Sequence, residues 1–72
     1  MSLTQCMMVL HHMEQEGSIT PKEAFEEYGI MRLGARIYDL KMAGYPVKRI
    51  MVTDLNRYGQ ETRFARYYLG RP

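Results

Sequence analysis

The sequence predicts one small, mainly α domain of the α+β class: three helices followed by a two-stranded β-hairpin. Three observations predict it. Apolar residues recur at helical spacing up to Gly44, the period becomes extended after Gly44, and turn residues Asn56 and Gly59 divide the extended region in two. Residues 1–72 are expected to form a single domain, close to the lower size at which one apolar core suffices.

The first helix begins at a capping box, Ser2-Leu3-Thr4-Gln5, and runs to about Glu16. Leu3, Cys6, Val9, Leu10 and Met13 share one stripe of it. Gly17 is the expected left-handed stop, and Ser18-Ile19-Thr20 is long enough only for a bridge or a very short strand. The second helix, Pro21 to about Tyr28, starts on a strong signal. Thr20 is the cap, Pro21 the first helical residue, and Glu23 can return a bond to the cap. Ala24, Phe25 and Tyr28 form its apolar face.

Gly29 ends that helix, and Ile30 is the expected plug of a tight turn. The third helix is expected from about Met31 to Ala43. Leu33, Ile37 and Leu40 face inward, buried together with Leu10 and Phe25. Gly44 closes it. The hairpin strands are Val47 to Thr53 and Thr62 to Leu69, joined by Asn56 to Glu61. Ala65, Tyr67 and Leu69 are expected to face the core. On the first strand Val47 with Met51 and Ile50 with Val52 give opposite answers, so its parity stays open.

Charge is polarised along the chain. Residues 1–30 set Lys22 against Glu14, Glu16, Glu23, Glu26 and Glu27, a net −4; residues 31–72 carry nine bases against Asp39, Asp54 and Glu61, a net +6. A basic half of this kind suits a polyanion or forms a solvated face.

The element order, with a short connection between the second and third helices, is that of a winged helix-turn-helix. The stretch "RIYDLKMAGY", Arg36 to Tyr45, resembles the R-I-x-D-L-x-x-x-G-Y ending of recognition helices in small winged-helix proteins. With "GSITPKEAFEEYGI" before it and "NRYGQETRFARYYL" after it, the chain from about Thr4 to Leu69 resembles the compact phage and prophage helix-turn-helix family. Two departures stand out. Met31 occupies the position where such families carry a capping threonine or serine, and Gly34 inside the helix costs roughly 1 kcal/mol relative to alanine. Gly34 either permits close approach to DNA or to the second helix, or marks an imperfect helix.

The resemblance implies sequence-specific binding of double-stranded DNA, with helix 31–43 in the major groove and the wing, 55–63, on the backbone. Its role would be that of a phage-derived regulator of transcription or of replication or recombination. The expected DNA-binding residues are Arg32, Ala35, Arg36 and Tyr38 on the helix and Arg57, Tyr58 and Arg63 on the wing. Arginine can bond guanine bidentately, and tyrosine can stack or reach a phosphate. For Arg36 a second role is open, an i, i+3 ion pair with Asp39. Lys48, Arg49, Arg66 and Arg71 are weaker candidates.

The rival reading is a protein-interaction module, contacting a protein partner or a second copy through a methionine and tyrosine surface that includes Met7, Met8, Met31 and Met42. No catalytic constellation is apparent, so an enzyme with a small-molecule substrate is not expected. Nor is a cofactor or metal, because adjacent His11 and His12 point about 100° apart on a helix. The lone Cys6 and the lack of a long apolar run predict a reduced, cytoplasmic chain without a membrane span.

Overall fold

The computed structural model describes residues 3–70. Helices α1 (Leu3–Glu16), α2 (Pro21–Tyr28) and α3 (Leu33–Met42) and strands β1 (Ser18–Ile19), β2 (Val47–Leu55) and β3 (Glu61–Leu69) follow in the order α1-β1-α2-α3-β2-β3. The expected cap at Ser2 and the candidate Arg71 lie outside the described residues.

The helices form for reasons local to them. Thr20 has extended backbone, its hydroxyl accepts from the Glu23 N–H at 3.2 Å, and the Glu23 carboxylate accepts from the Thr20 N–H at 2.9 Å. This reciprocal box starts α2. Gly29, at φ +68°, ends it, and the chain turns so sharply that the Ile30 N–H donates to the Ala24 carbonyl. Ile30 is thereby driven into the core, almost wholly buried. At the end of α3 the Tyr45 N–H donates to the Leu40 carbonyl and the Gly44 N–H to the Lys41 carbonyl, around a Gly44 at φ +98°. That pairing is a Schellman ending.

The core gathers Cys6, Val9, Leu10 and Met13 of α1, Ile19 of β1, Ala24 of α2, Ile30, Val47, and Leu33, Ile37 and Leu40 of α3. Tyr28, Tyr67 and Leu69 pack against it. Burial of the α3 stripe agrees with the periodicity. Phe25 does not join it. Its side chain is 56% exposed, because α2 turns Ala24 inward and Ile30 fills the space behind the turn. His12, half-buried on α1, shares a 2.7 Å hydrogen bond with the Tyr28 hydroxyl and lies 3.8 Å from the Glu23 carboxylate. It ties α1 to α2.

The sheet has three strands, not two, in the order β1-β3-β2, all antiparallel. Ser18 and Ile19 pair with Tyr68 and Tyr67, so the short bridge between α1 and α2 extends the hairpin sheet at its root. The register Val47↔Leu69 through Leu55↔Glu61 resolves the open parity. Opposed residues point to one face, and buried Ile19 and Val47 mark the inner one. Val47, Arg49, Met51 and Thr53 therefore share a face with Leu69, Tyr67, Ala65 and Arg63. Ile50 and Val52 lie on the other. The apolar pattern alone was ambiguous because most of β2 projects beyond the core, where neither parity is buried.

Candidate nucleic-acid interface

Helix α3 starts later than its periodicity suggests. Met31 and Arg32 belong to the turn, and Arg32 occupies the cap position at φ −122° and ψ 63°, without a side-chain capping bond. Arginine has no acceptor to offer the free N–H groups of a first turn. Arg32 is exposed and so is Met31.

Within α3 the expected site residues separate. Tyr38 is 62% exposed, whereas Ala35 and Arg36 are half-buried. Arg36 is turned toward α1: one guanidinium nitrogen donates to the Gln5 side chain at 3.5 Å, another lies 3.4 Å from Asp39, and Nε is buried without a partner. Of its two open roles the ion pair is the one the geometry shows. The Asp39 carboxylate also accepts a long contact from the Cys6 thiol at 3.9 Å. Burial, reinforced by the Asp39 charge, pushes that thiol's pKa up.

Two basic residues outside the principal candidates take the vacated prominence. Lys41 is exposed, and with Gly34, Ile37 and Tyr38 it forms one wall of an open groove of about 480 Å³. The opposite wall is Arg49 of β2 and Tyr67 of β3. Gly34 keeps this wall low: a Cβ there meets nothing within 4 Å, so no close approach to α2 requires the glycine. Sequence reasoning missed Lys41 and Arg49 as a pair because their meeting depends on the strand register. Arg63, opposite Thr53, continues the same face of the hairpin. The carboxylates Glu23 and Glu26 of α2 lie elsewhere, lining a groove with Asp54, Phe64 and Arg66 on the other face.

The wing tip is organised by Asn56. Its side-chain oxygen accepts from the N–H groups of Tyr58 at 2.9 Å and Gln60 at 3.0 Å, while its backbone N–H donates to the Gln60 carbonyl and its carbonyl accepts from Gly59. With Gly59 at φ +76°, this is a three-residue hairpin loop closed by a left-handed glycine. Arg57 and Tyr58 are held outward at the tip, both exposed. Arg66 points the other way and donates to the Ser18 hydroxyl at 3.0 Å, fastening β3 to β1.

A family model described as a winged helix-turn-helix domain matches residues 4–72. The chain belongs to the winged helix-turn-helix domain family. Comparison with curated proteins returned no match, and comparison with solved structures returned none. In winged helix-turn-helix terms α2 and α3 form the helix-turn-helix and β2-β3 the wing, and the family suggests DNA binding. Among the described residues no helix is long and apolar enough to cross a membrane, and no group of three or more His, Cys, Asp or Glu could hold a metal ion.

Proposed function

We propose that this winged helix-turn-helix chain binds double-stranded DNA sequence-specifically, with α3 and its leading turn in the major groove and the wing, 55–63, on the backbone. It acts by occupancy rather than catalysis, as a small phage-derived regulator of transcription or of replication or recombination. The observation that carries the reading is the shared face of α3 and the hairpin: Tyr38 and Lys41 on the helix stand across a groove from Arg49, with Arg63 farther along the same side. Because Arg36 is engaged with α1 and Asp39, base reading falls to Arg32 and Tyr38. Lys41, Arg49, Arg57 and Arg63 are assigned to phosphates.

The test is the affinity of the full chain for a random duplex pool at several salt concentrations. Each neutralised phosphate releases counterions, so binding should weaken steeply with salt. Absence of binding at low salt would overturn the reading.

One observation favours a second reading. Met42 is 70% exposed beside Tyr38 on α3, an adaptable apolar surface suited to a protein partner. Met42→Glu would then abolish capture of that partner while leaving nonspecific DNA association intact.

A further inference from the structure

The order β1-β3-β2 leaves β2 on the outside of the sheet, and its nine residues, Val47–Leu55, contain no proline. Exposed edges of this length are normally blunted by proline, a bulge, a covering segment or charged side chains; β2 carries only the last, Lys48, Arg49 and Asp54, and two of these are opposite in sign. Among the described residues nothing pairs with this one. The direction of its free groups follows from one bond. The Gly70 N–H donates to the Pro46 carbonyl, so Pro46 bonds toward β3, and alternation along an antiparallel ladder turns the N–H and C=O of Val47, Arg49, Met51, Thr53 and Leu55 outward. The ends are partly sealed: the Val47 N–H donates to the Tyr45 carbonyl and the Leu55 N–H to the Asp54 carboxylate. Arg49, Met51 and Thr53 remain open.

We propose that this edge pairs antiparallel with the same edge of a second copy, with Met51 opposite the partner's Met51. The strand is self-complementary in that register. Arg49 meets the partner's Thr53, so the open groups of both strands exchange hydrogen bonds. Ile50 meets the partner's Val52, and Lys48 meets the partner's Asp54, twice by symmetry. Asp54 uses one carboxylate oxygen on the Leu55 N–H and has the other for the lysine. Sliding the strands to any other register shortens the overlap and parts Lys48 from Asp54. Ile50 is 52% and Met51 45% exposed, one on each face of the sheet, and each gains an apolar neighbour across the seam. The two-fold axis stands perpendicular to the sheet, so both α3 helices lie on the same side of one continuous sheet, in the order β1-β3-β2-β2-β3-β1.

Sedimentation equilibrium of the full chain without DNA tests this independently of nucleic-acid binding. The mass should rise with concentration from 8.5 kDa toward twice that value. Lys48→Asp and Asp54→Lys should each weaken self-association at least about tenfold, since each places like charges opposite one another at both ends. An equimolar mixture of the two variants should recover the dimer, because every pair is again opposite in sign. Met51→Pro removes an N–H that the chain's own ladder does not use and should yield a folded monomer, checked by circular dichroism. A wild-type chain that stays monomeric up to millimolar concentration overturns the proposal. So does a dimer indifferent to both charge variants.

Discussion

Arg36 and Asp39, three residues apart on α3, lie 3.4 Å from one another with the arginine side chain only 17% exposed, and Gln5 of α1 holds the same guanidinium. A residue in the middle of α3 is thus engaged in joining that helix to α1. Arg36→Ala should lower stability by about 1–2 kcal/mol, mainly because it deletes buried stem packing; Asp39, 47% exposed, stays hydrated without its partner. Arg36→Met, which keeps the stem, should recover part of the loss. Neither should weaken DNA binding by more than about twofold at a temperature where both are folded, the scale of a contact worth under 0.5 kcal/mol. Urea unfolding and a duplex titration on the same samples separate the two effects.

Leu40 and Phe25 offer a second contrast. Leu40 is buried in the α3 stripe and Phe25 is exposed. Leu40→Ala should cost roughly 2–5 kcal/mol, a large share of what so small a domain has. Phe25→Ala should stay within about 0.5 kcal/mol. Equal effects in thermal melts would show that α2 is rotated from its described setting.

Alkaline pH should destabilise the fold through two groups. Burial raises the Cys6 thiol above its ordinary 9.0 and the Tyr28 phenol above its ordinary 10.0. Nearby carboxylates act in the same sense: Asp39 on Cys6, and Glu27, Glu16 and Glu23 on Tyr28. Both groups bind their protons more tightly folded than unfolded. Their contribution is therefore full below those ordinary values and is lost as pH rises through the raised ones. Cys6→Ala should make the stability-against-pH curve shallower above pH 9.0 and leave the Tyr28 contribution in place.

Among the basic residues, the phosphate and base roles should separate by sequence dependence. Lys41→Ala, Arg49→Ala, Arg57→Ala and Arg63→Ala should weaken binding to every duplex alike, each lowering the salt slope by about one. Arg32→Ala should cost roughly 1–3 kcal/mol at a preferred site and little elsewhere. Fluorescence anisotropy with a selected and a scrambled duplex measures both.

Much of the fold was legible because its punctuation is local. The Thr20 box, the glycines after α2 and α3 and the Asn56–Gly59 turn each follow from a few adjacent residues. Helix periodicity assigned the α3 stripe correctly for the same reason. What escaped reading was set by distant partners. Ser18–Ile19 reads locally as a bridge or very short strand, but its pairing with Tyr68 and Tyr67, which makes it the third strand of the sheet, does not follow from adjacent residues. Lys41 joins Arg49 only through the sheet register, and Arg36 turns from the exposed face because Gln5 lies across from it. The expected wing residues Arg57 and Tyr58 were legible at the tip, since a turn leaves its side chains nowhere to go but outward.

The third strand stops at Ser18–Ile19, alongside Tyr67 and Tyr68, while the hairpin continues far past that point to Asn56. The wing is therefore a lever whose fulcrum is the Ile19–Tyr67 pair. Near the fulcrum an amide opens only if the whole core opens; toward Leu55 and Glu61 it opens when a two-stranded ribbon frays. Hydrogen exchange should run as a gradient along each strand, slowest at the root.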